Sequence, residues 1–141
     1  MDIPEPRPGL VVRYDYLWSR ETADGRREGK DRPSCVAAAT DNEAVPRYVV
    51  LLPITQSRPD AETVAIEIPM KVRQSIGLDD TPSWVVVSEY NVDEWPNAGL
   101  SPAPGRRGAF AYGFVPPGLF RQIRAKFLEL ARAGASAAVR R

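Results

Sequence analysis

Short segments in which apolar and polar positions alternate make up much of this chain, and they predict β-strands. From residue 9 to residue 17, large apolar side chains alternate with polar or smaller ones, which is the pattern of a half-buried strand. Further strands are predicted over residues 34–40, 47–54, 63–68, 84–90 and 109–115. Turn residues separate these strands, so the pattern indicates a mainly β domain built as a small barrel.

One long helix is predicted near the C-terminal end. Pro116 and Pro117 suit a helix start, and Gly134 suits its end. Between them, apolar side chains recur on one face at three- and four-residue spacing: Leu119, Phe120, Ile123, Phe127, Leu130 and Ala131. Residues 1–134 are therefore predicted to form a single domain. Residues 135–141 have no apolar periodicity and are predicted to be a disordered tail.

Two segments are predicted to be irregular. Residues 19–31 carry charges of both signs and two glycines, and they are predicted to form a solvated loop. Residues 96–108 are rich in proline and glycine and are predicted to be a long connection. A short helical turn is predicted between Pro69 and Gly77.

The charge balance argues against general adhesion to polyanions. Lys and Arg number 19 and Asp and Glu 18, which gives a formal net charge of +1. The cations are concentrated at the C-terminal end, where only Glu129 opposes Arg121, Arg124, Lys126, Arg132, Arg140 and Arg141. Any contact with a polyanion must therefore be local or use that end of the chain.

The cysteine content and the hydropathy of the chain indicate the compartment of the protein. The single cysteine, Cys35, lies in an apolar run and cannot form an internal disulfide, so a buried thiol and the cytoplasm are predicted. No apolar run approaches the length of a membrane span, and residues 1–8 do not resemble a signal peptide. Neither export nor membrane insertion is predicted.

The chemistry available to the chain is restricted. There is no histidine, no cluster of metal-ligand residues and no glycine-rich phosphate loop. These absences argue against histidine catalysis, a zinc or iron site and the common nucleotide folds. Arginine, threonine, lysine, tyrosine and carboxylates remain. RNA cleavage can proceed with this set and without a cofactor, because the substrate's own 2′-hydroxyl is the nucleophile.

The strongest candidate site joins two strand ends. Pro33 disfavours helical dihedral angles at Arg32, which is predicted to be extended at the mouth of a strand. Thr55 follows the apolar strand 47–54, whose regular pairing Pro53 is predicted to end. A guanidinium and a hydroxyl are both donors suited to phosphate. We therefore predict an anion site, with RNA phosphate as the first candidate ligand.

Structural alternatives stay open for these residues. Arg32 could form a surface ion pair with Asp31 or Glu28. Thr55 could instead cap a turn. The aromatic residues Trp18, Tyr16 and Tyr90 fit a core or an interface better than a platform for stacked bases, although stacking is possible.

Four segments, in order, resemble the PemK/MazF-type toxins of bacterial toxin–antitoxin systems. Residues 8–12 are similar to the family's opening glycine-containing strand, and residues 29–36 to its glycine, arginine and proline lead into the second strand. Residues 49–56 are similar to its apolar strand ending in Ile-Thr, and residues 84–91 to its later strand with an acidic residue. The resemblance covers about residues 8–95.

The resemblance implies an SH3-like barrel with a C-terminal helix. It implies a sequence-selective, metal-independent endoribonuclease toxin that cleaves single-stranded RNA such as mRNA and leaves a 2′,3′-cyclic phosphate. It also implies a homodimer that a cognate acidic antitoxin neutralises. By the same resemblance, Arg32 is the catalytic acid or charge stabiliser, Thr55 contacts phosphate, and Glu89 is the general base.

Several neighbours are expected to bind RNA. Lys30, Gln56 and Ser57 flank the two central residues, and Arg26 and Arg27 are expected to contact flanking phosphates from a loop that gates the groove.

The assignment of the base leaves alternatives. Val87 stands where some family members have arginine, so Glu28 or Glu21 could replace Glu89 as the base. Glu89 could also be an exposed residue in a cross-strand ion pair.

Two other functions remain as alternatives. A non-catalytic barrel that binds RNA or a protein partner fits the same strand pattern. A gyrase-poisoning toxin on this barrel is disfavoured, because residues 137–141 contain no tryptophan.

Overall fold

The structure is a computed structural model that describes residues 3–105 and 109–141. In these ranges it is mainly β, with nine strands in one sheet and three helices. The strands are β1 Leu10–Tyr16, β2 Lys30–Ala39, β3 Tyr48–Thr55, β4 Ala65–Glu67, β5 Trp84–Val86, β6 Glu89–Glu94, β7 Leu100–Ser101, β8 Ala111–Phe114 and β9 Ala137–Arg140. The helices are α1 Ser19–Ala23, α2 Met70–Ser75 and α3 Pro117–Arg132. None of the described helices has the length and apolar character needed to cross a membrane.

Strand β2 lies at the centre of the sheet, between β1 and β3, and pairs antiparallel with both. The other edge of β3 pairs with β6 along its first half and with β5 at its end. The other side of β1 is likewise shared by β8 and β7. Strand β4 pairs with β5, and β9 runs parallel to β6. No backbone pairing among the described residues joins the two ends of this path, so the sheet is open.

The two faces of the central strands enter two apolar cores, because successive side chains of a strand point to opposite faces. Val11 and Cys35 belong to the core that α3 covers with Ile123 and Phe127. The other core contains Leu10, Val12, Tyr14, Tyr16, Trp18, Val36, Val49, Leu51, Val86 and Trp95. The predicted alternation over residues 9–17, the long C-terminal helix and the buried thiol are confirmed.

The prediction of disorder for residues 135–141 is wrong for the strand β9. Val139 is buried opposite Asn91, and the Ser136 hydroxyl donates to the Val87 carbonyl oxygen at 3.0 Å. The strand has four residues and one buried side chain, so it carries no detectable periodicity. Its order comes from β6, a partner that is remote in sequence.

Local boundaries near the candidate site also differ from prediction. Pro53 does not end pairing, since β3 continues to Thr55, which pairs with Trp84. Strand β2 begins at Lys30, so Arg32 lies within it. The segment predicted as one strand over 84–90 is the two strands β5 and β6.

The segment 19–31, predicted as a loop, contains α1 and the first residues of β2. The Glu21 carboxylate accepts a hydrogen bond from the Trp18 backbone N–H at 3.0 Å, which favours a helix start there.

Candidate functional site

A groove of about 530 Å³ lies beside the end of β3, the start of β2 and the turn that follows α2. Arg32 and Thr55 both line it, as do Lys30, Gln56 and Ser57. The structure therefore brings together the residues that the sequence placed at two strand ends.

The pairing of β2 with β3 explains why Arg32 and Thr55 meet. Ser34 pairs with Pro53 in antiparallel register. Arg32 lies two residues before Ser34, and Thr55 lies two residues after Pro53. Because residues two apart lie on one face of a strand, these side chains share a face at the open end of the pair.

The guanidinium of Arg32 is half-buried and lies against an aromatic ring. Its carbon is 4.9 Å from the Trp18 ring centroid, and the guanidinium carbon of Arg20 is 5.0 Å from the same ring. Within the described residues, no carboxylate makes an ion pair with Arg32. Asp31, a partner considered from the sequence, lies 3.8 Å from Arg13 instead. The Nε atom of Arg32 is buried and has no hydrogen-bond partner among the described residues.

Partial burial is the main cause that lowers the pKa of Arg32 below its ordinary value, and the charge of Arg20 adds to it. Glu21, Tyr16 and Glu89 act in the opposite direction. An arginine side chain stays protonated in proteins even so. The groove therefore contains a cation that is partly stripped of water and lacks a matching anion.

The hydroxyl of Thr55 is a second polar group at this point. Its Oγ1 accepts a hydrogen bond from the Ser57 backbone N–H at 3.1 Å, as a turn-capping residue does. The hydroxyl proton of Thr55 is left to donate, and no described residue accepts it. Ser83 also lines the groove, and its buried hydroxyl has no partner among the described residues.

The side-chain amide of Gln56 is hydrogen-bonded to Asp79, which also lines the groove. Its Nε2 atom lies 2.8 Å from each carboxylate oxygen of Asp79. That hydrogen bond is the main cause that holds the pKa of Asp79 below its ordinary value. Gln56 therefore offers a ligand little donor capacity unless Asp79 releases it.

Glu89 does not line the groove. Its carboxylate accepts hydrogen bonds from the Tyr16 hydroxyl at 2.9 Å, the Ser19 backbone N–H at 3.0 Å and the Ser19 hydroxyl at 3.1 Å. Burial, followed by the charge of Glu89, raises the pKa of Tyr16, so Tyr16 remains a donor. The structure thus holds Glu89 on the side of β1 and α1, and its role as a base stays a prediction.

Arg26 and Arg27 line a different and larger cavity of about 970 Å³. Arg26 also makes an ion pair with Glu21 at 2.9 Å. Burial acts to raise the pKa of Glu21, but the Trp18 N–H and the Arg26 guanidinium outweigh it and hold that pKa below its ordinary value. The structure does not bring these arginines to the groove, and their contact with RNA stays a prediction.

Sequence reasoning missed two features of this region. Arg20 joins Arg32 against Trp18, although its position in a charged segment gave no sign of this contact. Ser83 precedes β5 and gave no signal at all, since only tertiary packing buries its hydroxyl. Among the described residues there is no group of three or more potential metal-ligand side chains.

No protein-family model matches the sequence, and the search of curated proteins finds no match.

Proposed function

We propose that this protein is a metal-independent endoribonuclease of the PemK/MazF toxin type, acting on single-stranded RNA in the cytoplasm. The observation that carries the proposal is the cation Arg32, which faces a groove with Thr55 and makes no ion pair with any described carboxylate. A desolvated guanidinium beside a free hydroxyl donor is suited to a phosphodiester.

The proposed reaction is an internal transfer at phosphorus. The ribose 2′-oxygen attacks the adjacent phosphorus, the bond from phosphorus to the 5′-oxygen breaks, and the departing 5′-oxygen takes a proton from water. The products are a 2′,3′-cyclic phosphate and a 5′-hydroxyl. Arg32 stabilises the added negative charge and Thr55 donates to a phosphoryl oxygen, which are contributions that strengthen as charge develops.

A carboxylate takes the proton of the 2′-hydroxyl in this proposal. Glu89 fills that role only if its hydrogen bonds from Tyr16 and Ser19 rearrange. Asp31 and Asp79 line the groove itself and are the competing bases. Separate substitutions Glu89→Gln, Asp31→Asn and Asp79→Asn distinguish them, because only loss of the base changes the pH dependence of cleavage.

The SH3-like barrel is part of the proposal. Strand β6 approaches the end of β1 through side chains, since the Tyr14 hydroxyl donates to Asp93 at 2.7 Å and Tyr16 donates to Glu89. Such bridges support a closed barrel despite the open backbone ladder. The homodimer and the acidic antitoxin complete the proposal, and the cations Lys30 and Arg32 give an acidic segment a complementary surface.

The experiment is cleavage of a long unstructured RNA by the purified protein, with and without EDTA. Mass spectrometry of the fragments identifies the ends. We expect cleavage that survives EDTA and yields 2′,3′-cyclic phosphate and 5′-hydroxyl ends. Fragments with a 5′-phosphate would indicate a metal-activated water and overturn the proposed chemistry.

A second candidate is a non-catalytic barrel that binds RNA. The position of Glu89 outside the groove favours it, because the predicted base is then absent from the place where phosphate binds. This candidate predicts that RNA binds in the groove and stays intact under every condition tested.

A further inference from the structure

The side chain of Arg141 is enclosed by hydrogen-bond acceptors from distant parts of the chain. It is 13% exposed. Its Nη1 atom donates to the Tyr14 hydroxyl at 3.2 Å, to Asn91 Oδ1 at 3.0 Å and to the Asp15 carbonyl oxygen. Its Nη2 atom donates to Asp15 Oδ2 at 3.0 Å and to the Arg27 carbonyl oxygen at 3.2 Å. The guanidinium carbon also lies 5.6 Å from the Tyr14 ring centroid.

The side-chain acceptors of Tyr14, Asp15 and Asn91 are held in place by groups other than Arg141. The amide of Asn91 is fixed by two hydrogen bonds to the backbone of Leu17. The Tyr14 hydroxyl is fixed by Asp93, and the Asp15 carboxylate accepts the Gly29 N–H at 3.2 Å. The cluster of acceptors around the Arg141 guanidinium, which we call the guanidinium pocket, is therefore preorganised. If Arg141 leaves, the acceptors on β1 and β6 stay oriented toward one point.

Apart from the contacts of Arg141 itself, the strand β9 is held by few buried side chains. It has four residues, pairs in parallel with β6, and contributes one buried side chain, that of Val139. Its neighbours Ala137, Ala138 and Arg140 are exposed. Parallel pairing is slightly weaker per residue than antiparallel pairing, and segments with few buried apolar contacts open first.

We propose that the edge of β6 and the guanidinium pocket form a binding site for an extended peptide with the pattern Val-x-Arg. In this structure β9 is the resident occupant. The valine enters the position of Val139, and the arginine two residues later enters the pocket. A peptide bound there adds a strand to the sheet, so backbone hydrogen bonds supply affinity and the two side chains supply specificity. This site is separate from the groove of Arg32 and does not depend on the proposed RNA chemistry.

The test uses the full chain and a fluorescent peptide of residues 135–141, Ala-Ser-Ala-Ala-Val-Arg-Arg. Binding is measured by fluorescence anisotropy for the wild type, for Arg141→Gln and for Arg140→Gln as the matched control. Arg140 is the adjacent, exposed arginine on the same strand. We expect Arg141→Gln to bind the peptide about tenfold more tightly than the wild type, because the internal competitor has lost its charged hydrogen bonds. Arg140→Gln should bind like the wild type.

The peptide itself provides the second comparison. A peptide with glutamine at its last position should bind Arg141→Gln about tenfold less tightly than the native peptide. Equal binding of both peptides would overturn recognition of arginine. Equal binding by all three proteins, or no binding by any of them, would contradict the proposal that an added peptide replaces β9 on the edge of β6.

Hydrogen exchange of the wild-type protein provides a test that requires no substitution. The amides of Ala137 and Arg141 donate to the carbonyl oxygens of Ser88 and Val92 at 3.0 and 2.8 Å. They should exchange at least about a hundredfold faster than amides in β3, because β9 opens without global unfolding. Exchange at the same rate as β3 would show that β9 is not released, and the proposal would fail.

If Arg141→Gln does not fold by circular dichroism, Arg141→Lys replaces it in the peptide-binding test, since lysine keeps the charge but not the planar fork.

Discussion

The side-chain amide of Asn91 takes the place of a strand partner for Leu17. Asn91 Oδ1 accepts a hydrogen bond from the Leu17 N–H at 3.0 Å, and Asn91 Nδ2 donates to the Leu17 carbonyl oxygen at 2.8 Å. Both residues are buried, so neither backbone group of Leu17 can turn to water instead. This one side chain therefore fixes the end of β1 against β6.

We expect Asn91→Ala to lower the free energy of unfolding by about 2 to 4 kcal/mol, because it leaves two buried backbone groups of Leu17 without partners. Urea denaturation measures the change. Asn42→Ala is the control, since Asn42 is exposed and should change the stability by less than about 0.5 kcal/mol. Similar values for both variants would show that the bridge contributes no stability.

Arg32→Ala should reduce RNA cleavage by about a hundredfold or more and leave the fold intact. The reason is loss of a charged donor to the transition state. Rates on an unstructured RNA are compared with circular dichroism spectra. Arg32→Lys should restore only part of the rate, because lysine lacks the planar fork. The control is Arg121→Ala on the exposed face of α3, which should cleave normally. A folded Arg32→Ala variant with undiminished cleavage would remove Arg32 from the mechanism.

Lys30→Ala should weaken RNA binding and flatten the slope of log K against log salt by about 0.7, the value for one phosphate contact on a single strand. Affinity measured at several salt concentrations gives the slope. From the sequence, the double variant with Arg26→Ala and Arg27→Ala is also expected to flatten the slope of log K against log salt. If that double variant keeps the wild-type slope, RNA does not reach the second cavity.

The pH dependence of stability follows in part from Cys35. Burial raises the pKa of its thiol from 9.0 to about 12. The unfolded chain therefore loses this proton at lower pH than the folded chain, and stability falls as pH rises between those values. Denaturation at pH 8 and pH 11 should show a smaller loss for Cys35→Ala than for the wild type. The loss that remains in that variant reflects Tyr14 and Tyr16, whose pKa values burial also raises. An identical loss in both proteins would contradict the assignment.

Local patterns in the sequence were sufficient for the strands β1 to β3 and the helix α3, because each has an apolar face with its own period. They also indicated that Arg32 and Thr55 lie near the ends of two strands, although Arg32 is the third residue of β2. The pairing of Ser34 with Pro53 then brings those two residues to one groove.

What sequence reasoning missed depends on contacts between distant residues. Glu89 is the first residue of β6, and its carboxylate accepts hydrogen bonds from Tyr16 and Ser19, which no local pattern reveals. Strand β9 is ordered by β6 and by the pocket around Arg141, so its own composition predicts only a tail. The unpaired hydroxyl of Ser83 likewise results from packing alone.

Strand β9 has a consequence for the order in which the molecule is assembled during translation. Domains generally fold as units, and synthesis adds the N-terminal side of the chain first. Residues 10–94 contain the ends of β2 and β3 that line the groove, and they are synthesised before Ala137 is added. The acceptors around the Arg141 guanidinium, the last of which is Asn91, are therefore all synthesised before Arg141 itself. For that interval the edge of β6 lacks its partner β9, so its backbone groups are free to pair with another extended segment.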